Sequence, residues 1–279
     1  MIKRYLLRLR RVVEFMVGGG NIKESPVAFV NPSDKFTGKK VLVTGGSTGI
    51  GFETAKEFLS EGAEVVITAR RKDRLEAAKR RLGNAQNLHL LAWDMAAVEL
   101  CSQKLDEAVR LLGHIDIFVN NAGIYKYDEW DTCSEKIYDE VIDINAKGLF
   151  FLCQAEADYL LQSGCTAKII NMCSRNSIDA GFDPYTISKW EAASITIELA
   201  KKLVPKGIMV NGIAPGNVAT NIHGDRVHDV SENAFMPSHL TERYVHVEEI
   251  ASIVLFLSDD RIKNITGQII PVDGGWTLH

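Results

Sequence analysis

The chain has 279 residues, 46% apolar and 24% charged, which suits one large α/β domain with a sizeable core better than two domains or a disordered chain. A formal net charge of −4, with Trp and Tyr scattered rather than interleaved with basic residues, gives no reason to expect a nucleic-acid partner. The five cysteines (Cys101, Cys133, Cys153, Cys165 and Cys173) are odd in number and lack C-x-x-C spacing, so a disulfide framework or a zinc site is not expected and a reducing cytoplasm fits. No apolar run is long enough to span a bilayer.

The first twenty residues stand apart. Lys3, Arg4, Arg8, Arg10 and Arg11 lie mostly opposite Ile2, Tyr5, Leu6, Leu9, Val12, Val13 and Met16 at helical spacing, and Gly18-Gly19-Gly20 follows. This predicts a basic amphipathic helix. Packing on its own or a neighbouring subunit is favoured over contact of residues 1–17 with a membrane surface, because Leu7 and Phe15 interrupt the polar face. Residues 21–36, with Pro26 and Pro32, read as a linker. The expected division is therefore an N-terminal extension over 1–36 and a catalytic domain over 37–279.

From Lys39 onward strands and helices alternate. Strands are predicted at Lys40–Thr44, Glu64–Thr68, Asn87–Trp93, Ile115–Asn120, Lys168–Cys173, Ile208–Ile213 and Gln268–Val272. Helices are predicted at about 50–61, up to Arg81, 97–112, 135–162 and 184–203, with a further one after a loop near Asn217–Tyr244. This alternation implies a doubly wound, seven-stranded parallel sheet of Rossmann type, joined by right-handed crossovers.

The first strand runs into Thr44-Gly45-Gly46-Ser47-Thr48-Gly49-Ile50-Gly51. Glycines let a backbone approach a pyrophosphate closely, and the following helix N-terminus offers N–H groups and a favourable dipole. The spacing alone is weak; a strand before it and a helix after it raise its weight. The second strand ends at Thr68-Ala69-Arg70-Arg71, where an NAD site usually places an acid. A cation there suits a 2′-phosphate, so NADP(H) is expected ahead of NAD(H), with Arg70 the better candidate.

Tyr185 and Lys189 stand four apart near a helix start, on one face. An ammonium there is expected to lower the phenol pKa and make Tyr185 a general acid or base. With seven Tyr in the chain, a single Y-x-x-x-K is near chance level. Ser174, at the end of the fifth strand, and Asn145, inside the long helix, add weight to it.

Taken together, these motifs resemble those of the short-chain dehydrogenase/reductase family, from about Lys39 to Trp276. The glycine motif is Thr44 to Gly51, Asp94 resembles the adenine-side acid, and Asn120-Asn121-Ala122-Gly123 matches N-N-A-G. Pro215-Gly216, with Val218 and Thr220 after it, and the closing Val272-Asp273-Gly274-Gly275 complete the series. The resemblance implies Asn145, Ser174, Tyr185 and Lys189 as the catalytic set. Tyr185 would exchange the substrate proton, and Ser174 would bond the carbonyl oxygen. Lys189 would hold the nicotinamide ribose, and Asn145 would support a relay water. It implies cofactor contacts from Thr44, Gly45, Ser47, Thr48, Gly49, Ile50, Gly51, Arg70, Asp94, Asn121, Ala122, Gly123, Tyr185, Lys189, Pro215, Gly216, Val218 and Thr220, no metal, and a homotetramer or homodimer.

Two features depart from the pattern. Ser174 precedes Tyr185 by 11 residues, where many members have about 13, so Arg175–Pro184 is short and could reshape one pocket wall. The N-terminal extension is also unusual. His223, His228 and His239 match no metal-ligand spacing and are expected to be solvated loop residues. The expected activity is NADP(H)-dependent hydride transfer at a carbonyl or secondary alcohol carbon of a small molecule. The alternative is a catalytically silent dinucleotide-binding regulatory or structural protein, which would have no need of the intact four-residue set. A steroid, polyol, 3-oxoacyl thioester or xenobiotic ketone all fit the sequence.

Overall fold

The computed structural model describes residues 2–18, 34–126, 130–220 and 235–278. Helix α1 covers Ile2–Val17. Strands and helices then alternate: β1 (Lys40–Val43), α2 (Gly49–Ser60), β2 (Glu64–Ala69), α3 (Lys72–Arg81), β3 (Leu88–Ala92), α4 (Cys101–Leu112) and β4 (Ile117–Asn120). After these come α5 (Glu135–Ile142), a π-helical segment (Asp143–Gly148), α6 (Leu149–Ser163), β5 (Lys168–Met172), α7 (Pro184–Leu203), β6 (Met209–Pro215), α8 (Val247–Ser258) and β7 (Ile269–Val272). The predicted long helix over 135–162 is thus two α-helices joined by a π turn, in which Asn145 sits.

All seven strands pair in parallel, in the order β3-β2-β1-β4-β5-β6-β7. Side chains alternate across the sheet, as the two-residue strand period requires. Val41, Val43, Val65 and Ile67 meet Phe58 and Val254 on the face covered by α2, α3 and α8. Leu42, Val66 and Phe118 meet Leu105, Leu152 and Leu203 on the face covered by α4, α6 and α7. Phe36 joins the first of these cores, edge-on to the Phe58 ring with centroids 5.0 Å apart.

The chain winds outward from β1 to β3, then returns past β1 to form β4. The strand order reverses there, and the crevice at the carboxyl ends of β1 and β4 is where open α/β sheets hold ligands. The β1–α2 turn, the residues directly after β4 and the end of β5 all open onto it.

Helix α1 is amphipathic, as its spacing predicts, with Leu9, Val13, Met16 and Val17 exposed. Phe15 stacks on Phe235, with centroids 4.0 Å apart and rings 9° from parallel. No helix of the described residues is long and apolar enough to cross a membrane.

Candidate active site

The turn after β1 is tied to the loop after β4. Thr44 Oγ1 accepts the N–H groups of Asn121 (3.0 Å) and Ala122 (3.1 Å), and Asn121 Nδ2 donates to the carbonyls of Thr44 and Gly45 at 3.0 and 3.2 Å. A Cβ on Gly51 would lie 2.4 Å from Asn121 Nδ2 and 2.6 Å from Gly45 O, so this close approach admits only glycine. Ser47 is buried within the turn. Thr48 caps α2 in extended conformation without a side-chain bond to the helix, so its hydroxyl does not take the first N–H groups, those of Gly49, Ile50 and Gly51. A helix of twelve residues that starts from a glycine-rich turn, with no side-chain cap from Thr48, fits a pyrophosphate.

From that helix end a pocket leads to the carboxyl end of β5. It is lined by Ile50, Asn121, Gly123, Ile124, Tyr125, Met172, Cys173, Ser174, Arg175, Asn176, Tyr185, Lys189, Pro215, Gly216, Asn217, Val218 and Thr220. Ten of these match the residues expected from the sequence. Ser174 begins a 3₁₀ turn with a reciprocal cap: its Oγ accepts the Asn176 N–H at 3.2 Å, and its own N–H donates to Ser177 Oγ at 3.1 Å. The Ser174 hydroxyl also bonds the Tyr185 phenol.

Tyr185 and Lys189 project from the first turns of α7, which is started by Asp183, whose carboxylate accepts the Thr186 N–H at 2.9 Å, and by Pro184. Lys189 Nζ donates to Met172 O at 2.8 Å and lies 5.6 Å from the Tyr185 ring centroid. Tyr125 packs edge-on to that ring, with centroids 4.9 Å apart.

Asn145 does not line the pocket but braces it from behind. Its Oδ1 accepts the Ile124 N–H at 2.8 Å, and its Nδ2 donates to Ile124 O at 2.8 Å and to Ser188 Oγ at 3.2 Å. The π turn places this side chain between the β4 loop and α7, a common use of such turns.

Protonation differs from the sequence-based expectation. Burial pushes the Tyr185 phenol up to about 12, only partly offset by its bond to Ser174, and burial pulls Lys189 down to about 8. Burial therefore outweighs the groups around the phenol that favour its ionised form. Desolvation acts on both groups, and the ammonium is turned toward Met172 O. Tyr185 keeps its proton throughout the neutral range, which suits a general acid.

Arg70 and Asp94 line a second depression, with Lys126, Lys136, Glu140 and Asp143 among the other walls, and Ile124 borders both pockets. Arg70 is exposed, whereas Arg71 is paired to Asp73 through Nε at 3.0 Å and Nη2 at 2.5 Å. Asp94 Oδ1 accepts the Ala96 N–H at 3.1 Å.

His239 is fully buried, not a solvated loop residue. Its Nε2 accepts the Asn217 N–H at 3.1 Å, so Nδ1 carries the proton donated to Arg243 O at 2.6 Å. Burial lowers its pKa, in keeping with a neutral ring. It ties Asn217 to Arg243 and packs edge-on against Trp276 of the closing turn, where Asp273 accepts the N–H groups of Gly275 and Thr277 at 3.0 and 2.8 Å. His223 and His228 lie outside the described residues.

A family model described as Enoyl-(Acyl carrier protein) reductase matches residues 45–277, which spans the glycine turn, the Ser174–Tyr185–Lys189 pocket and the closing turn. The chain is a short-chain dehydrogenase/reductase. Glucose 1-dehydrogenase of Gluconobacter oxydans is 32% identical over 251 residues, 88% of this chain and 94% of that protein. Gluconate 5-dehydrogenase of the same organism is 32% identical over 247 residues, 87% and 96% of the two chains. The crystal structure of a short chain dehydrogenase from Bacillus anthracis superposes with a TM-score of 0.78 at 31% identity, covering 88% of this chain and 99% of the other. This short-chain dehydrogenase/reductase therefore belongs to a family of oxidoreductases that use nicotinamide cofactors.

Tyr125, Arg175, Asn176 and Asn217 line the pocket but carry no motif of their own. For Arg175 and Asn176 a signal existed, since they directly follow Ser174 at a strand end. Tyr125 and Asn217 lie just beyond the N-N-A-G and P-G motifs, which mark where the chain reaches the crevice.

Proposed function

We propose that this protein transfers a hydride between NADP(H) and a carbonyl or secondary alcohol carbon, with Tyr185 as general acid/base. The observation that carries this is the convergence of Ser174, Tyr185 and Lys189 on one pocket, whose far wall is Ile50 at the N-terminus of α2 and whose flank is Pro215–Thr220. The bound nicotinamide supplies or accepts the hydride. In the reductive direction Tyr185, held protonated, donates to the carbonyl oxygen, and the Ser174 hydroxyl bonds that oxygen as it gains charge. Lys189 holds the nicotinamide ribose. Asn145 fixes the Ile124 backbone and Ser188, and supports a relay water between α7 and the π turn.

The pyrophosphate is held by the turn from Thr44 to Gly51. Arg70 takes the 2′-phosphate, Asp94 the adenine, and Asn121, Ala122 and Gly123 flank the ribose. Val218 and Thr220 meet the carboxamide. Residues 1–36 form an extension to the catalytic domain of 37–279. The Phe15–Phe235 stack supports a packing role for α1 rather than a membrane anchor. Five free cysteines accord with a cytoplasmic setting, and the exposed apolar side chains of α6 and α7 accord with a homotetramer or homodimer.

The decisive experiment is Tyr185→Phe, followed by NADPH absorbance across a panel of carbonyls. The expected result is a loss of turnover of 10²-fold or more (about the contribution of one general acid), with NADPH still bound, as read by fluorescence. Unchanged turnover overturns the mechanism. NADPH binding with no turnover of any carbonyl by the unaltered protein favours a silent dinucleotide-binding role.

A further inference from the structure

Three separate segments of the chain meet at the second depression. Arg70 directly follows β2, Lys126 lies beyond the end of β4, and Lys136 and Glu140 stand on α5. The last two are four residues apart, which puts them on one face of that helix. The backbone is anchored on both sides. Asn145 holds Ile124 by its N–H and by its carbonyl, each at 2.8 Å, just before Lys126. Ser134 caps α5, its Oγ accepting the Ile137 N–H at 3.3 Å.

Glu140 is the carboxylate that these cations share. Lys126 Nζ donates to it directly, which joins the β4 end to α5. That bond, with the charges of Lys136 and Arg70 behind it, holds the Glu140 carboxyl below its usual pKa. The Lys126–Glu140 bridge is open to solvent, with side chains 45% and 38% exposed, and bridges of that kind are weak. A phosphate monoester carries nearly two charges and three acceptor oxygens, so it competes well with one carboxylate for a lysine. The depression as a whole is not cationic: five Asp and Glu side chains line it against three Lys and Arg. A dianion beside Arg70 therefore meets repulsion that one guanidinium must offset, and a second cation released from its carboxylate lowers that cost.

We infer that Lys126 is a second cation for the 2′-phosphate of NADP(H), beside Arg70, and that Glu140 holds Lys126 until the phosphate displaces it. The two residues set the degree of NADP(H) preference from opposite sides: Lys126 adds to it and Glu140 subtracts from it. NAD(H) has a hydroxyl in place of the phosphate and leaves the bridge closed.

This inference rests on the reading of the depression as the 2′-phosphate site, and the test separates the two. Calorimetry gives Kd values of NADPH, NADH, 2′,5′-ADP and 5′-AMP for the full chain, Lys126→Met, Lys126→Arg and Glu140→Gln. Lys126→Met and Glu140→Gln break the same bridge, so a bridge with only a structural role would shift binding in one direction in both. Opposite shifts are expected. Lys126→Met should weaken NADPH and 2′,5′-ADP about 5- to 10-fold, the loss of one exposed charge-assisted contact. Glu140→Gln should tighten both about 2- to 5-fold, and Lys126→Arg should stay within about 3-fold of the unaltered protein. NADH and 5′-AMP should change less than about 2-fold throughout, because their phosphates are screened from this depression; that also shows that the variants are folded. Shifts in one direction, shifts shared equally by NADH, or no shift at all overturn the inference and leave the NADP(H) preference of the unaltered protein standing. An unaltered protein that binds NADPH no more tightly than NADH removes the preference, and the inference then stands or falls on the same opposite shifts.

Discussion

Glu156 of α6 is fully buried without a cation beside it. One carboxyl oxygen accepts from Asn120 Nδ2 at 3.0 Å; the other has no partner, and neither does Asn120 Oδ1. Both unpartnered atoms are acceptors, the pattern left when a proton belongs on the carboxyl. Burial raises its pKa from 4.5 to about 8. The folded state thus binds this proton more tightly than the unfolded state does. Below the unfolded value Glu156 costs nothing. As pH rises from about 4.5 to about 8 the cost grows, and above that it is fully present. Glu156→Gln should therefore be stabilised relative to the unaltered protein by about 2–4 kcal/mol at pH 8.5, with little difference at pH 4.5. Urea midpoints at the two pH values check this, and a difference that does not depend on pH would show that the carboxyl is solvated. Nothing in the sequence marks Glu156, which stands among the apolar and polar residues of a long helix. Its burial arises because β4, β5 and α6 close over it.

At the scale of elements, the strand–turn–helix units were the most legible part of the chain. Apolar runs such as Val41–Val43 and Val65–Ile67 have no alternative to a buried parallel strand, and glycine spacing marks the turn that follows β1. The turn after β2 offers a direct test. Arg70 is an exposed cation of the second depression, which Lys126 and Lys136 also line, while Arg71 is engaged with Asp73. Arg70→Ala should raise the NADPH Kd about 10-fold or more, the loss of one charge-assisted contact to phosphate, and change the NADH Kd far less. Equal losses for both cofactors would reduce Arg70 to a surface charge. The long helix over 135–162 was legible as helix but not as a π turn. The turn is produced by tertiary demands: Asn145 must reach Ile124 and Ser188 together, and a Cβ on Gly148 would lie 2.5 Å from Met95 O. The loop before α8 was legible only as a loop, and the burial of His239 depends on Trp276 and Asn217, which arrive from other parts of the chain.

For the whole molecule, the outer faces of α6 and α7 carry unusual apolar exposure. Phe150 and Leu161 lie about three turns apart on one side of α6, and Trp190 and Ile197 about two turns apart on one side of α7, each between 37% and 48% exposed. Large apolar patches of this kind mark association surfaces. Sedimentation should find a dimer or tetramer, and Phe150→Lys combined with Ile197→Lys should yield a smaller species with unchanged far-UV dichroism. A monomeric unaltered protein would refute this assignment of the surface.

The sequence by itself determined the seven parallel strands, the phosphate turn and the presence of Asn145, Ser174, Tyr185 and Lys189 in order. These are local matters: side-chain period sets the element, and motif spacing is counted along the chain. Only the tertiary structure decided which groups meet. The sheet order brings the ends of β1, β4 and β5 to one crevice, and the closing turn carries Trp276 beneath Arg175. It also decided protonation, because desolvation is a property of surrounding protein. That is why Tyr185 stands at about 12 and Lys189 at about 8, against the direction that their four-residue spacing suggests for the phenol.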